Sequence, residues 1–187
     1  MVKKLKMKKI HESTNIVLEV ELDSNNSFDN IFGKLKFIID GKDIATDKED
    51  HNLSYFYVDC KYLKSVLENN DNIENALFLK KNEEILSLWR EWEDYKSKSD
   101  IASEESQNVK LFDRNYFKTG NIFNSFFFDE IMIFYITEND NIKFKFWYKV
   151  EGSEIYELKT SKAELLNCIK SFMDFFDVTN NYLKNKE

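Results

Sequence analysis

From Ile142 to Val150 the chain reads IKFKFWYKV, with Ile142, Phe144, Phe146, Tyr148 and Val150 alternating with Lys143, Lys145, Trp147 and Lys149. Period-two alternation places successive side chains on opposite faces of a pleated backbone, so this stretch specifies a strand with one apolar face. The pattern recurs over Ile16–Leu22, where Ile16, Leu18, Val20 and Leu22 alternate with Val17, Glu19 and Glu21. It recurs again where Leu35, Phe37 and Ile39 stand opposite Lys34 and Lys36. If those two strands are neighbours, outward lysines meet outward glutamates, and each such pair adds roughly a few tenths of a kcal/mol. Asp40-Gly41 then closes a hairpin, because a type I′ turn needs positive φ at two positions that Asp tolerates and Gly adopts freely. A short third strand through Ile44 should fold back beside Phe37.

Helical segments are read from the other period. YFYVDCKYLKSVLENN predicts a brief strand leading into a helix, with Asp59 as N-cap and Leu63, Val66 and Leu67 on one face. A second helix is predicted from Asn82 to Tyr95, with Ile85, Leu88, Trp89, Trp92 and Tyr95 as its apolar stripe and Glu83, Glu84, Glu91, Glu93 and Asp94 around the rest. Residues 96–108 are polar and predict a mobile loop. A turn is predicted at Thr119-Gly120-Asn121. Ile131–Ile136 is apolar on both faces, as in a central strand covered on both sides or in one facing a partner. Glu138–Asn141 turns it into IKFKFWYKV, and Gly152-Ser153 turns that strand back through Ile155 to Leu158. Ser161-Lys162-Ala163-Glu164 is a capping box, followed at helical spacing by Leu165, Leu166, Ile169, Phe172, Met173 and Phe176. Strands, helices, a meander and a closing helix predict an α+β fold, a mostly antiparallel sheet with helices packed on one face.

The 187 residues suit one domain, and 17 phenylalanines supply large rings for its core. Acids outnumber bases 34 to 27, and the first ten residues hold five lysines and no acid, so removing those five charges takes the remainder from −7 to −12. An acidic body repels phosphate backbones and anionic lipid and draws in basic proteins. Direct nucleic-acid and membrane binding are therefore not expected, and residues 1–12 read as a basic, flexible, solubilising end. Cys60 and Cys168 are far apart and read as reduced, buried thiols of a cytoplasmic protein. His11-Glu12-Ser13-Thr14-Asn15 stands where a signal peptide needs an apolar stretch, so no export signal is read.

Two histidines, His11 and His51, and four glycines leave little for catalysis. No nucleophile elbow, phosphate-binding glycine loop, H-E-x-x-H or calcium loop is present, and no cofactor or metal is expected. FFFDEIMIFYI, Phe126 to Ile136, places Asp129 and Glu130 inside an apolar run. Adjacent carboxylates on a strand point to opposite faces, so the pair reads as the exposed entry to a buried strand.

IFGKLKFIIDGKDI resembles the N-terminal hairpin of small immunity proteins from bacterial polymorphic-toxin and contact-dependent growth-inhibition systems. Phe128-Asp129-Glu130 with its apolar strand, followed by a turn and IKFKFWYKV, resembles a later part of the same pattern. The match covers about a quarter of the chain, with Ala45-Thr46 in place of a further glycine and an unmatched acidic stretch from Glu83 to Glu105. The resemblance implies a non-enzymatic protein that neutralises the C-terminal domain of a cognate toxin, a basic nuclease, by occluding its active site; the sequence leaves its oligomeric state open, with a monomer favoured. On that reading the partner surface is the acidic helix and the loop after it, with Glu91, Glu93, Asp94, Glu104 and Glu105 as charges and Trp92 or Tyr95 as anchor. The competing reading of this surface is a solvated helix face whose Trp92 belongs to the core. The competing functions are a carboxylate-dependent, metal-assisted hydrolase and a protein-binding accessory of a mobile element.

Overall fold

In a computed structural model, which describes residues 7–28, 30–45, 51–69, 72–97, 106–119, 131–149 and 154–186, the two N-terminal alternating segments are antiparallel neighbours. They are β2 (Ile16–Leu22) and β3 (Phe32–Ile39), because an earlier strand, β1 (Lys8–Glu12), precedes them. Their register makes Glu19 the partner of Lys36 and Glu21 the partner of Lys34, while Ile16, Leu18, Val20, Leu35, Phe37 and Ile39 are buried on the other face. Asp40 and Gly41 have φ of 50° and 73°, the left-handed pair expected of the hairpin, and β4 (Lys42–Ala45) returns along β3. A two-residue strand, β5 (His51–Asn52), pairs with the start of β3 and completes a five-stranded sheet.

β1 corrects the expectation of a flexible end through residue 12. Lys9 pairs with Glu12 at 2.7 Å and stands opposite Glu19, and Lys8 lies 5.2 Å from the Phe175 ring centroid. Of the five lysines that suggested a solvated tip, the two described ones are matched, Lys9 to acid and Lys8 to an aromatic ring. Edge strands commonly carry lysine, which discourages pairing with foreign strands.

A second antiparallel sheet has the order β6 (Ile131–Glu138), β7 (Asn141–Tyr148), β8 (Tyr156–Ser161). β6 is covered on both faces, as its sequence predicts, but it lies at the edge of this sheet. Ile131, Ile133 and Tyr135 enter the main core with Ile142, Phe144 and Phe146, and Met132 and Phe134 enter a second cluster with Trp147. The lysine-bearing face of β7 is therefore covered at Lys145 and Trp147, while Lys143 remains partly exposed. Trp147 is fully buried, and Lys145 reaches Glu157 Oε1 at 3.1 Å, Asn82 Oδ1 at 3.3 Å and the Lys80 carbonyl at 3.4 Å.

The helices fill both sides. α1 (Leu53–Glu68) starts before the predicted Asp59 cap: Asn52 is the cap, its Oδ1 accepting from the Ser54 N–H at 3.0 Å. Leu53, Phe56, Cys60, Leu63 and Leu67 keep helical spacing from the first residue, so the aromatic YFY segment is helix and not strand. α1 packs with α4 (Lys162–Lys184) in the main core, where Phe56 meets Phe172 edge-on at 4.7 Å. α4 begins at the predicted Ser161 cap, whose Oγ accepts from the Glu164 N–H at 3.1 Å. α2 (Asn82–Ser97) follows a 3-10 turn at Ala76–Leu79, and α3 (Gln107–Thr119) covers the second cluster beside it. The predicted 96–108 loop thus loses its ends to two helices, while residues 98–105, the turn at Gly120-Asn121 and the Asp129-Glu130 pair lie outside the described residues. The fold is α+β, with α1 and α4 against the first sheet and the second sheet clad on both faces. Among the described residues no helix is long and apolar enough to cross a membrane.

Candidate functional site

The predicted partner surface on α2 faces α3. Glu91 accepts hydrogen bonds from Ser106 Oγ at 2.5 Å and from Asn108 Nδ2 at 3.0 Å, and these two donors, Ser106 first, hold its carboxyl below the usual range. Its charge closes the first turn of α3. The Trp92 ring packs 5.4 Å from both Phe112 and Tyr116, and its Nε1 donates to Asp113 Oδ1 at 2.9 Å. Trp92 therefore belongs to the α2–α3 packing, which corrects its assignment as an anchor for a partner. Glu93, although exposed, accepts from Trp89 Nε1 at 3.1 Å. Asp94 is exposed and Tyr95 half-buried at the end of the helix, and Glu104 and Glu105 lie outside the described residues. Of the five that are described, Asp94 and Glu93 are exposed.

A different aromatic surface is displayed by α1. Tyr55, Val58 and Tyr62 are 57%, 60% and 52% exposed, a second stripe at i, i+3 and i+7 on a helix whose first stripe is wholly buried. Helix geometry places such residues one above another, so they form one patch. Tyr57 lies off this patch. It stacks on Phe176 at 4.5 Å and donates its hydroxyl to Asp177 at 2.8 Å, and burial, with that bond, pushes its pKa up to about 12. The spacing of the stripe was legible in the sequence, but taking YFY for a strand concealed it.

A third feature is a cleft of about 770 Å³ between the 72–79 segment, α3 and the β6–β7 turn. Phe78, Leu79, Leu111 and Ile136 give it apolar walls, and Glu74 and Arg114 carry charge into its lining. Its frame is fixed by buried amides. Asn75 Oδ1 accepts from the Leu77 N–H at 2.8 Å, Asn115 Oδ1 from the Ala76 N–H at 3.0 Å, and Thr137 Oγ1 from the Ile73 N–H at 2.7 Å.

The buried thiols are poor nucleophiles. Burial raises the pKa of Cys168 to about 12, with the charge of Glu164 adding to it, and burial likewise holds Cys60 well above its ordinary value. Among the described residues no group of three or more metal-ligating side chains gathers. Compared with family models, with curated proteins and with solved structures, the chain finds no match in any of the three.

Proposed function

We propose that this protein is a non-enzymatic binding protein of the immunity type, which neutralises a basic toxin domain by covering its active site. The observation that carries this reading is the Tyr55–Val58–Tyr62 stripe. Two tyrosines and a valine stand more than half exposed on a helix already anchored by five buried residues. Tyrosine is enriched at binding hot spots because it brings a large rigid area and a polar tip at small entropic cost. The surrounding charge fits a basic partner, since a chain of net charge −7 speeds the encounter with a cationic surface. α1 supplies the anchor on this reading, and the acids of α2 left in solvent, Asp94 among them, supply long-range attraction only. Such a complex would need an interface of about 1,600 Å².

The test is purification with the basic C-terminal domain of the toxin encoded beside this chain, followed by surface plasmon resonance over a range of salt. A one-to-one complex is expected, with an association rate that falls as salt rises and a dissociation rate that changes little. The double variant Tyr55→Ala/Tyr62→Ala should weaken binding by about 100-fold or more, the scale of two hot-spot side chains, without lowering the melting temperature. Absence of a complex at every salt concentration would remove the reading. Full affinity in the double variant would remove α1 as the surface.

A further inference from the structure

Leu79 is the residue that singles out the cleft beside α3. Leu79 is 90% exposed although its neighbours Leu77 and Phe78 pack into the second cluster, so the 3-10 turn holds a leucine side chain out at the mouth of a concave surface. Covering such a side chain removes apolar area from water and favours whatever covers it. The volume of about 770 Å³ lies within the range of sites that enclose several ligand groups.

Charge narrows the occupant. Three charged residues line the cleft, and Glu138 is already neutralised by Lys143 at 2.6 Å. Arg114 and Glu74 have no ion-pair partner among the described residues, so the lining presents one cation and one anion that no described group matches. Asn72 and Asn139, both exposed, add amide groups at the rim that suit a peptide backbone. The hydrogen bonds of Asn75, Asn115 and Thr137 fix the walls in advance, which lowers the ordering cost of binding.

We propose that this cleft receives a short segment of a partner protein in which apolar side chains stand between a basic and an acidic residue. The apolar side chains lie against Leu79, Phe78, Leu111 and Ile136, the base meets Glu74 and the acid meets Arg114. The proposal extends the protein-binding reading but stands on a surface separate from the α1 stripe, and a free peptide tests it without the toxin.

The probe is the tetrapeptide acetyl-Lys-Leu-Leu-Glu-amide, titrated into the full-length 15N-labelled chain and followed by amide chemical shifts. Saturable shifts at Ala76, Leu79, Arg114 and Asn139 are expected in the millimolar range. Affinity should fall about fivefold when Lys and Glu of the peptide are both replaced by Gln, and about fivefold in Arg114→Glu, the scale of exposed ion pairs. Leu79→Ser, a change at a side chain in solvent, should weaken binding while leaving the folded spectrum unchanged. Tyr55→Ala/Tyr62→Ala should bind the peptide as the parent does. Shifts confined to other regions, no shifts up to about 10 mM peptide, or equal affinity for the glutamine-bracketed peptide would overturn the proposal, since short ligands of this size bind only weakly at best. Loss of the Tyr55/Tyr62 complex with intact peptide binding would leave the cleft assigned and the α1 surface confirmed separately.

Discussion

Glu164 shows how one side chain ties distant parts of this chain together. It sits three residues after the Ser161 cap, but its carboxylate does not reach back to the cap as in a closed capping box. It accepts instead from Ser13 Oγ, from the Asn15 backbone N–H at 3.1 Å, from Asn15 Nδ2 at 3.1 Å and from Thr160 Oγ1 at 3.0 Å, binding the β1–β2 turn to the start of α4. Burial disfavours the charged form, and the four donors outweigh it, holding the pKa down to about 2. A carboxyl whose folded pKa lies below its unfolded value, roughly 4.3, adds stability above that value and loses it as pH falls toward the folded pKa. Glu164→Gln should therefore cost about 1.5–3 kcal/mol at pH 7 in urea unfolding, and the gap from the parent should close between about pH 4.5 and 2. Gly33 offers a contrast that has no pH dependence. A Cβ there would lie 2.4 Å from the Glu21 carbonyl oxygen across the β2–β3 ladder, so Gly33→Ala should cost about 1–3 kcal/mol at every pH, by the same unfolding measurement. The glycine of the Phe-Gly strand opening thus has a steric reason in this chain, whatever the pattern means elsewhere.

At the scale of elements, α1 records both what the sequence discloses and what it hides. Its boundary was misplaced because four aromatic or β-branched residues in succession, Tyr55 to Val58, suggest a strand, while the cap that starts the helix, Asn52, is an ordinary loop residue until its side chain is seen to bond. Asn52→Ala should cost about 1 kcal/mol and raise hydrogen exchange in the first turn of α1 only, a pattern that a cap at Asp59 would not give. Strands with one wet face, β2 and β3, were legible down to the partners Glu19–Lys36 and Glu21–Lys34, because alternation and opposite charge carry the same information twice. α3 was missed because Gln107–Thr119 mixes polar and apolar residues directly after a polar loop; of its described side chains Val109, Phe112 and Asn115 are buried and Leu111 and Tyr116 pack beside them. For Trp92 the two readings, partner anchor and core residue, stayed open for the same reason. Without α3 in view, nothing in the sequence supplied the Phe112 and Tyr116 rings against which it packs. The α1 stripe and the cleft share that history, since each depends on knowing which face of an element the core has already taken.

Across the whole molecule the second sheet is a wall between two unequal cores. Among the described residues the main core gathers 25 buried residues from the first sheet, α1, α4 and one face of the second sheet, whereas the other face meets the 3-10 turn, α2 and α3 through a cluster of eight. Elements with less buried apolar area open at lower free energy, so the layer of α2 and α3 should unfold locally while the rest stays folded. Native-state hydrogen exchange at low denaturant would resolve this. Amides of β2, β3 and α4 should exchange only through global unfolding, and those of α2 and α3 through an opening with a smaller free energy and a smaller denaturant slope. Phe112, fully buried and 5.6 Å from the Phe134 ring, is the joint between that layer and the sheet. Phe112→Ala should lower the opening free energy of α2 and α3 by about 3–5 kcal/mol and leave the protection of the α1 and α4 amides close to the parent. Equal loss of protection in both cores would mean that the wall transmits the defect and the molecule opens as one unit. The division matters for recognition, because the α1 stripe is carried by the larger core and is presented on a rigid support, which reduces what binding must order. The cleft, framed by the 3-10 turn and α3, borders the layer that opens first, so the Phe112→Ala protein should lose the tetrapeptide while its α1 surface still holds a partner.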